Sequence, residues 1–152
     1  MSRAERAKEY FLQGYNCSQA VALAFQDVMG VDEKTVSKLM LPFGGGLGRL
    51  RLTCGAVSGM AAAIGAIEAD AEISPENKKR TYAITQALCN QFKTENGSLI
   101  CGELLAGVNV PVEIGGEAEK RTESYYKKRP CAELVACAAN ILETYLKENG
   151  KI

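Results

Sequence analysis

The residues of this chain best equipped for chemistry are its six cysteines, because its 152 residues include no histidine. Without histidine there are no Ser-His or Cys-His nucleophile pairs and no histidine-ligated zinc or haem. A cysteine thiol that has lost its proton can still attack a disulfide or ligate a metal. Most of the chemistry open to this chain therefore falls to the cysteines.

Four of the six cysteines lie in the first turn of a predicted helix. Asn16 and Thr53 are N-caps directly before the first two, Ser98 precedes the third by three residues, and Pro130 directly precedes the fourth. The positive end of a helix dipole favours thiolate over thiol by about 0.3–1 kcal/mol. This placement marks four candidate catalytic residues: Cys17, Cys54, Cys101 and Cys131.

The spacing of these four cysteines leaves three hypotheses open. They are thirty or more residues apart and form no C-x-x-C pair, so only the tertiary fold can bring them together. Converged thiolates repel one another unless they form a disulfide, keep protons or share a cation. The first hypothesis is dithiol–disulfide exchange or electron transfer, and the second is a zinc or iron–sulfur centre held by the same four sulfurs. The third is a helical interaction module without catalysis, in which the cysteines are packing residues.

Among the four, Cys54 is predicted to be the most reactive thiol, because it combines a capped helix start with an open approach through glycines. The other two cysteines, Cys89 and Cys137, lie inside predicted helices at positions typical of packing. They are therefore predicted to be structural.

A glycine-rich segment, 43–49, precedes Cys54 and is too rich in glycine to be helical. It lacks the Gly-Lys-Ser/Thr of a P-loop and the preceding strand of a dinucleotide fold. We expect a shaped loop that brings backbone close to Cys54, where a cluster, ligand or thiol substrate binds and Arg51 adds positive potential. The alternative is a tight turn under packed helices. The candidate binding residues of the loop are Gly45, Gly46, Gly48 and Arg49.

Helical periodicity runs through almost the whole chain and predicts an all-α fold. We expect one domain over residues 1–152, a compact bundle of five to seven helices in which a helix of small residues after the glycine loop is central. The predicted helical segments are 3–13, 16–30, 32–40, 53–67, 75–93, 101–105 and 130–150.

The amino-acid composition limits which binding partners and which cellular compartment are expected. Eighteen basic and eighteen acidic residues cancel, and only 7% of residues are aromatic, which argues against a nucleic-acid partner. The N-terminus is charged, and the longest apolar stretch is about fifteen residues against about twenty needed to span a bilayer, so we expect a cytoplasmic protein without membrane insertion. The basic stretch 125–129 is predicted to be solvated surface. A redox partner protein or a small thiol substrate is expected, and a homo-oligomer stays open.

The motif order itself resembles a known family. Cys17, the segment Cys54-Gly55-Ala56-Val57-Ser58-Gly59, Cys101 and Cys131 together resemble the bacterial and archaeal family of redox-active proteins named for its C, C-G-A-x-x-G, C, C signature. The glycine loop and the segment 131–135 are also similar to that family's flanking segments. The resemblance implies redox activity through the same four cysteines, without an established reaction, and does not decide between a disulfide and a metal.

Overall fold

The computed structural model describes residues 1–152 and shows an all-α protein, as predicted. The predicted number of helices, five to seven, is wrong, because there are nine α-helices. They are α1 (Arg3–Leu12), α2 (Cys17–Leu23), α3 (Gln26–Met29), α4 (Glu33–Met40), α5 (Gly55–Glu68), α6 (Pro75–Asn96), α7 (Cys101–Ala106), α8 (Glu123–Lys128) and α9 (Cys131–Glu148).

One additional helix arises because the predicted helix 16–30 is broken. The backbone of Phe25, at φ −116° and ψ 9°, leaves the helical region, so α2 ends at Leu23 and α3 begins at Gln26. Gly30, at φ 70°, then ends α3 in the left-handed conformation that glycine adopts readily.

The other additional helix, α8, lies in the basic stretch that was predicted to be solvated surface. Its start is capped by Thr122, whose side chain accepts a hydrogen bond from the backbone N–H of Tyr125. Six residues are fewer than two helical turns, too few for apolar periodicity to show. Its aromatic residues pack instead, with Tyr126 edge-to-face on Phe11 of α1.

The core is formed mainly where α1 packs along α9 and α2 packs along α5. Helix α5 also contacts α6 and α9, in agreement with the central position predicted for it. Large side chains with almost no exposed surface fill the space between these helices: Phe11, Phe25, Met60, Ile64, Phe92 and Leu142. This core fixes the N-termini of α2, α5 and α9 relative to one another.

Alanine substitutions at two glycines of α5 are expected to change the free energy of unfolding in opposite directions. A Cβ atom at Gly59 would lie 2.5 Å from the backbone oxygen of Ser18, whereas a Cβ at Gly65 would meet nothing within 4 Å. We expect Gly59→Ala to lower the free energy of unfolding by about 1–3 kcal/mol through overpacking. Gly65→Ala should raise it by about 0.5–1 kcal/mol, because alanine favours a helix interior. Urea unfolding of both variants checks this, and equal stability of the two would contradict the close packing of α2 on α5.

Candidate functional site

The four candidate cysteines meet at one cavity of about 350 Å³. Three of them, Cys17, Cys101 and Cys131, are the first residues of α2, α7 and α9, and Cys54 is the N-cap of α5. Cys54 is buried, while the other three are partly exposed. The fold therefore brings together, at helix N-termini, residues that are far apart in the sequence. Asn16 is the N-cap of α2 as predicted, whereas the predicted caps Thr53 and Ser98 are wrong, because Cys54 and Ile100 occupy the N-cap positions without a side-chain cap.

Cys17 is positioned by a capping box and by the small residues of α5. The Asn16 side chain accepts from the backbone N–H of Gln19, and the Gln19 side chain accepts from that of Asn16. A Cβ at Gly55 would lie 3.0 Å from the Cβ of Cys17. Because glycine follows Cys54, the start of α5 can approach the start of α2 closely.

Cys54 and Cys101 are held by a short backbone ladder that the sequence analysis did not predict. Residues 51–54 run antiparallel to 99–102, with the Cys54 N–H donating to the Leu99 carbonyl at 2.8 Å and the Cys101 N–H donating to the Leu52 carbonyl at 2.6 Å. Side chains alternate along such a ladder, so both cysteines lie on the same side of it. Cys54 and Cys101 thus reach one cavity from two different segments.

The glycine loop is a turn of left-handed helix. Five successive residues, 45–49, have φ between 56° and 71°. This conformation costs roughly 1–2 kcal/mol at a residue with a side chain, and Leu47 and Arg49 both adopt it. The loop packs closely on Cys101, because a Cβ at Gly46 would lie 2.6 Å from the Cβ of Cys101, and Cys54 lines the same cavity as the loop. The predicted binding residues of the loop all line the cavity: Gly45, Gly46, Gly48 and Arg49.

Cys131 and Cys17 line the same cavity, and each changes the pKa of the other. The Cys17 thiol donates a hydrogen bond to the sulfur of Cys131, which stabilises the thiolate of Cys131.

Four arginines line the same cavity: Arg49, Arg51, Arg121 and Arg129. Arg51 is only 6% exposed, although it carries a charge. Its Nε donates to the carbonyl of Glu113 at 2.9 Å, and its Nη1 lies 3.7 Å from the sulfur of Cys101. Arg121 stacks on Phe11, with its guanidinium carbon 4.1 Å from the centre of the ring. The cavity is therefore strongly positive beside its thiols.

These surroundings lower the pKa of Cys131 from 9.0 to about 7. The largest cause is the hydrogen bond from Cys17, and Arg129, Arg121 and Arg51 add electrostatic stabilisation of the thiolate, against the opposing effect of burial. A thiol with a pKa near 7 is about half ionised at neutral pH. Cys131 therefore supplies a nucleophile under ordinary conditions.

The other three cavity cysteines are held as neutral thiols. The hydrogen bond to Cys131, followed by burial, raises the pKa of Cys17, and burial raises that of Cys101. Burial also raises the pKa of Cys54 to about 12, although the backbone N–H groups of Ala56 and Val57 act in the opposite direction. Ionisation therefore does not favour Cys54, which the sequence predicts to be the most reactive thiol, because burial destabilises its thiolate more than the helix amides stabilise it.

Sequence reasoning missed part of this site. Arg121, Tyr125 and Arg129 line the cavity, so the stretch 125–129 is not simply solvated surface as predicted. Arg129 is held by Glu119 at 2.6 Å and lies with its guanidinium carbon 5.0 Å from the centre of the Tyr125 ring. The available signal was the run of tyrosines and cations directly before Cys131. Because glutamates lie nearby in the sequence, this stretch was interpreted as an ordinary charged surface.

Cys89 and Cys137 do not line the cavity. Both are partly buried side chains that pack against the hydrophobic core, as their helical positions predicted. The thiol of Cys137 donates to the Glu95 carboxylate at 3.3 Å.

Metal coordination receives no geometric support among the residues of this structure. No group of three or more histidine, cysteine, aspartate or glutamate side chains is arranged to hold a metal ion. The four sulfurs share a cavity, but they do not form the compact ligand set that the zinc or iron–sulfur hypothesis predicts.

Helix N-termini that bring four cysteines to an arginine-lined cavity define an all-α thiol protein, distinct from zinc ribbons and ferredoxins in the spacing of its cysteines. Residues 15–145 match the family model described as "Putative redox-active protein (C_GCAxxG_C_C)". The chain belongs to this family, so the resemblance inferred from its motifs is confirmed. The family supports a redox role but specifies no reaction. None of the curated proteins and none of the solved structures matches the chain.

The helices also bear on membrane association. None of the nine is both long enough and apolar enough to cross a bilayer.

Proposed function

We propose that this protein carries out dithiol–disulfide exchange in the four-cysteine cavity, with Cys131 as the attacking thiol and Cys17 as the resolving thiol. The observation that carries the proposal is that Cys131 and Cys17 line one cavity together with three arginines that stabilise the thiolate of Cys131. Reactive cysteines in proteins are typically found in such electropositive, partly exposed surroundings.

In the first step, the Cys131 thiolate attacks one sulfur of a substrate disulfide. A mixed disulfide forms between Cys131 and half of the substrate, and the other half leaves as a thiolate. The guanidinium groups of Arg121 and Arg129 stabilise negative charge at this point, because both lower the pKa of the Cys131 thiol in the same way.

In the second step, Cys17 attacks the sulfur of Cys131. While Cys131 is a thiolate, the hydrogen bond that it accepts from the Cys17 thiol is the largest cause of the raised pKa of Cys17. The mixed disulfide has no negative charge, so Cys17 becomes easier to ionise when it is needed. Its attack forms the Cys17–Cys131 disulfide and releases the second substrate thiolate, which balances a two-electron reduction of the substrate.

Cys54 and Cys101 have supporting roles in this proposal. Both remain protonated at neutral pH, because burial raises their pKa values. They define the inner wall of the cavity next to the glycine loop. The reaction partner is either a small disulfide that enters the cavity or an exposed disulfide on a partner protein, and a cytoplasmic setting would keep the resting dithiol reduced.

Mild oxidation tests which sulfurs pair. Treatment of the reduced, full-length protein with one equivalent of a small disulfide should yield a single intramolecular bond, Cys17–Cys131, in peptide mass spectra. Cys137 serves as an internal reference, because it lies outside the cavity and should stay reduced. A dominant bond between any other two cysteines, or zinc or iron bound stoichiometrically through the four sulfurs, would overturn the assignment.

The pH dependence of alkylation tests the identity of the nucleophile. Because only the thiolate reacts and the pKa of Cys131 is about 7, its rate of reaction with iodoacetamide should be low at acid pH and half-maximal near pH 7. Cys54, with a pKa of about 12, should stay unmodified over this range. Peptide mass spectrometry after short pulses measures both rates. A midpoint near 9 for Cys131 would show that the arginines and Cys17 do not stabilise its thiolate.

A further inference from the structure

Two of the arginines of the cavity have no carboxylate partner: Arg51, which is buried, and Arg121, which is partly exposed. Arg51 forms no ion pair, and its observed partners are the Glu113 carbonyl and the sulfur of Cys101. Arg121 also forms no ion pair, and donates to the backbone carbonyls of Phe11 and Tyr15 at 2.8 Å and 2.9 Å. A guanidinium group has five N–H donors, so each keeps donors that no protein group accepts. Proteins rarely bury a charge without a counter-charge.

The remaining two arginines leave the cavity positive. Arg129 pairs with Glu119 at 2.6 Å, but Arg49 has only the exposed Glu113 carboxylate at 3.8 Å. The Nε of Arg49 is buried and has no hydrogen-bond partner. With Cys131 as a thiolate, four cations still face only two carboxylates and one thiolate. A bound anion would supply the missing negative charge.

The walls of the cavity also indicate the size and the apolar character of such an anion. Its volume of about 350 Å³ lies at the lower end of the range for small-molecule sites, about 300–1,000 Å³. Four leucines supply apolar contacts suited to short methylene chains: Leu41, Leu104, Leu105 and Leu134. Arginine recognises a carboxylate through two parallel hydrogen bonds, which a neutral ligand cannot form.

We propose that the cavity is selective for small disulfides whose arms end in carboxylates, with Arg51 and Arg121 binding the carboxylates while the disulfide lies against Cys131. This inference rests on the proposed exchange reaction and specifies its substrate class. The reduced dithiol, Cys17 and Cys131, gives two electrons to the substrate disulfide. The products are one protein disulfide and two carboxylate-bearing thiols, which take up the proton released by Cys17 and the proton that Cys131 had already given to water.

A charge series of similar disulfides tests the inference on the unmodified protein. Dithiodipropionate, dithiodiethanol and cystamine have similar short arms but carry negative, neutral and positive ends. Each rate of oxidation of the reduced protein is divided by the rate of the same disulfide with mercaptoethanol, which removes differences in intrinsic reactivity. The normalised rate at low salt should fall by about tenfold or more from the anionic to the cationic disulfide, and added salt should shrink the difference.

Substitutions of single arginines test whether the charge preference arises in the cavity. Arg51→Gln should reduce the preference for dithiodipropionate over dithiodiethanol by about fivefold, whereas Arg51→Lys, which keeps the charge, should retain most of it. Arg6→Gln removes an arginine of α1 that does not line the cavity and should leave the preference unchanged. Loss of the preference in Arg6→Gln alone would overturn the assignment to the cavity.

Binding without chemistry provides a second readout. Thiodipropionate has the same carboxylates but a thioether that cannot be reduced, and it should bind the Cys131→Ser variant in calorimetry where uncharged thiodiethanol does not. Absence of such binding at millimolar ligand would overturn the inference. Equal normalised rates for the three disulfides would also overturn the substrate class while leaving the exchange reaction intact, whereas no reaction with any of them would overturn the proposed function as well.

Discussion

Cys131→Ser is expected to slow the oxidation of the reduced protein by dithiodiethanol by about a thousandfold or more. A serine hydroxyl stays protonated at neutral pH, whereas the Cys131 thiol, with a pKa of about 7, is about half ionised. The neutral disulfide separates this result from the selectivity of the cavity for charge. Stopped-flow kinetics with quantitation of the remaining thiols measures the rate.

Two matched variants complete this experiment. Cys137→Ser removes a thiol from the same helix but outside the cavity, so its rate should equal that of the unmodified protein. Cys17→Ser should still allow the first attack and should accumulate the mixed disulfide on Cys131, because the resolving thiol is missing. Full activity of Cys131→Ser together with loss of activity in Cys54→Ser would restore Cys54 as the nucleophile and contradict the mechanism.

Gly46→Ala is expected to lower the free energy of unfolding by about 2–4 kcal/mol, the sum of left-handed strain and overpacking. A Cβ there would lie 2.6 Å from the Cβ of Cys101, 2.7 Å from the Leu52 nitrogen and 2.8 Å from the Cα of Arg51. Two of these atoms belong to backbone that the ladder holds in place, so the loop or the ladder must shift. Urea unfolding measures the loss of stability.

Gly48→Ala is the control for this substitution. Gly48 also has a positive φ, of 56°, but the nearest atom to its Cβ would be the Pro42 oxygen at 3.9 Å. It should therefore cost only the conformational strain, about 1 kcal/mol. Equal losses in the two variants would show that backbone conformation alone, and not contact with Cys101, makes glycine necessary at Gly46.

The helices were predictable where local signals mark their ends. Asp32 before α4, Ser74 before α6 and Gly97 after α6 are capping residues whose effect depends only on their immediate neighbours. The break at Phe25 and the short helix α8 were missed. No glycine or proline marks the break, and α8 is too short for a periodic pattern and packs on a distant segment, as the contact of Tyr126 with Phe11 shows.

The candidate site was predictable as a set of cysteines but not as a mechanism. The position of Cys17 at a helix start follows from the Asn16 cap, and that of Cys131 follows the neighbouring Pro130. Cys101 also begins a helix, but the N-cap is Ile100, without a side-chain cap, and not the predicted Ser98. The ladder between residues 51–54 and 99–102 had no such signal, because it is an isolated bridge without the alternating pattern of a strand. The residues that surround Cys131 come from several separate segments, so no local pattern in the sequence predicts that they meet.

The order of residues along the chain was sufficient to predict the all-α class, the four cysteines at helix N-termini, the glycine loop and the family. Each of these depends on neighbouring residues or on motif order, which the chain carries in one dimension. Only the tertiary structure decided that Cys131, and not Cys54, has the lowered pKa. Burial outweighs the helix amides at Cys54, whereas Cys17 and the charges of three arginines lower the pKa of Cys131, and these effects exist only after the chain has folded.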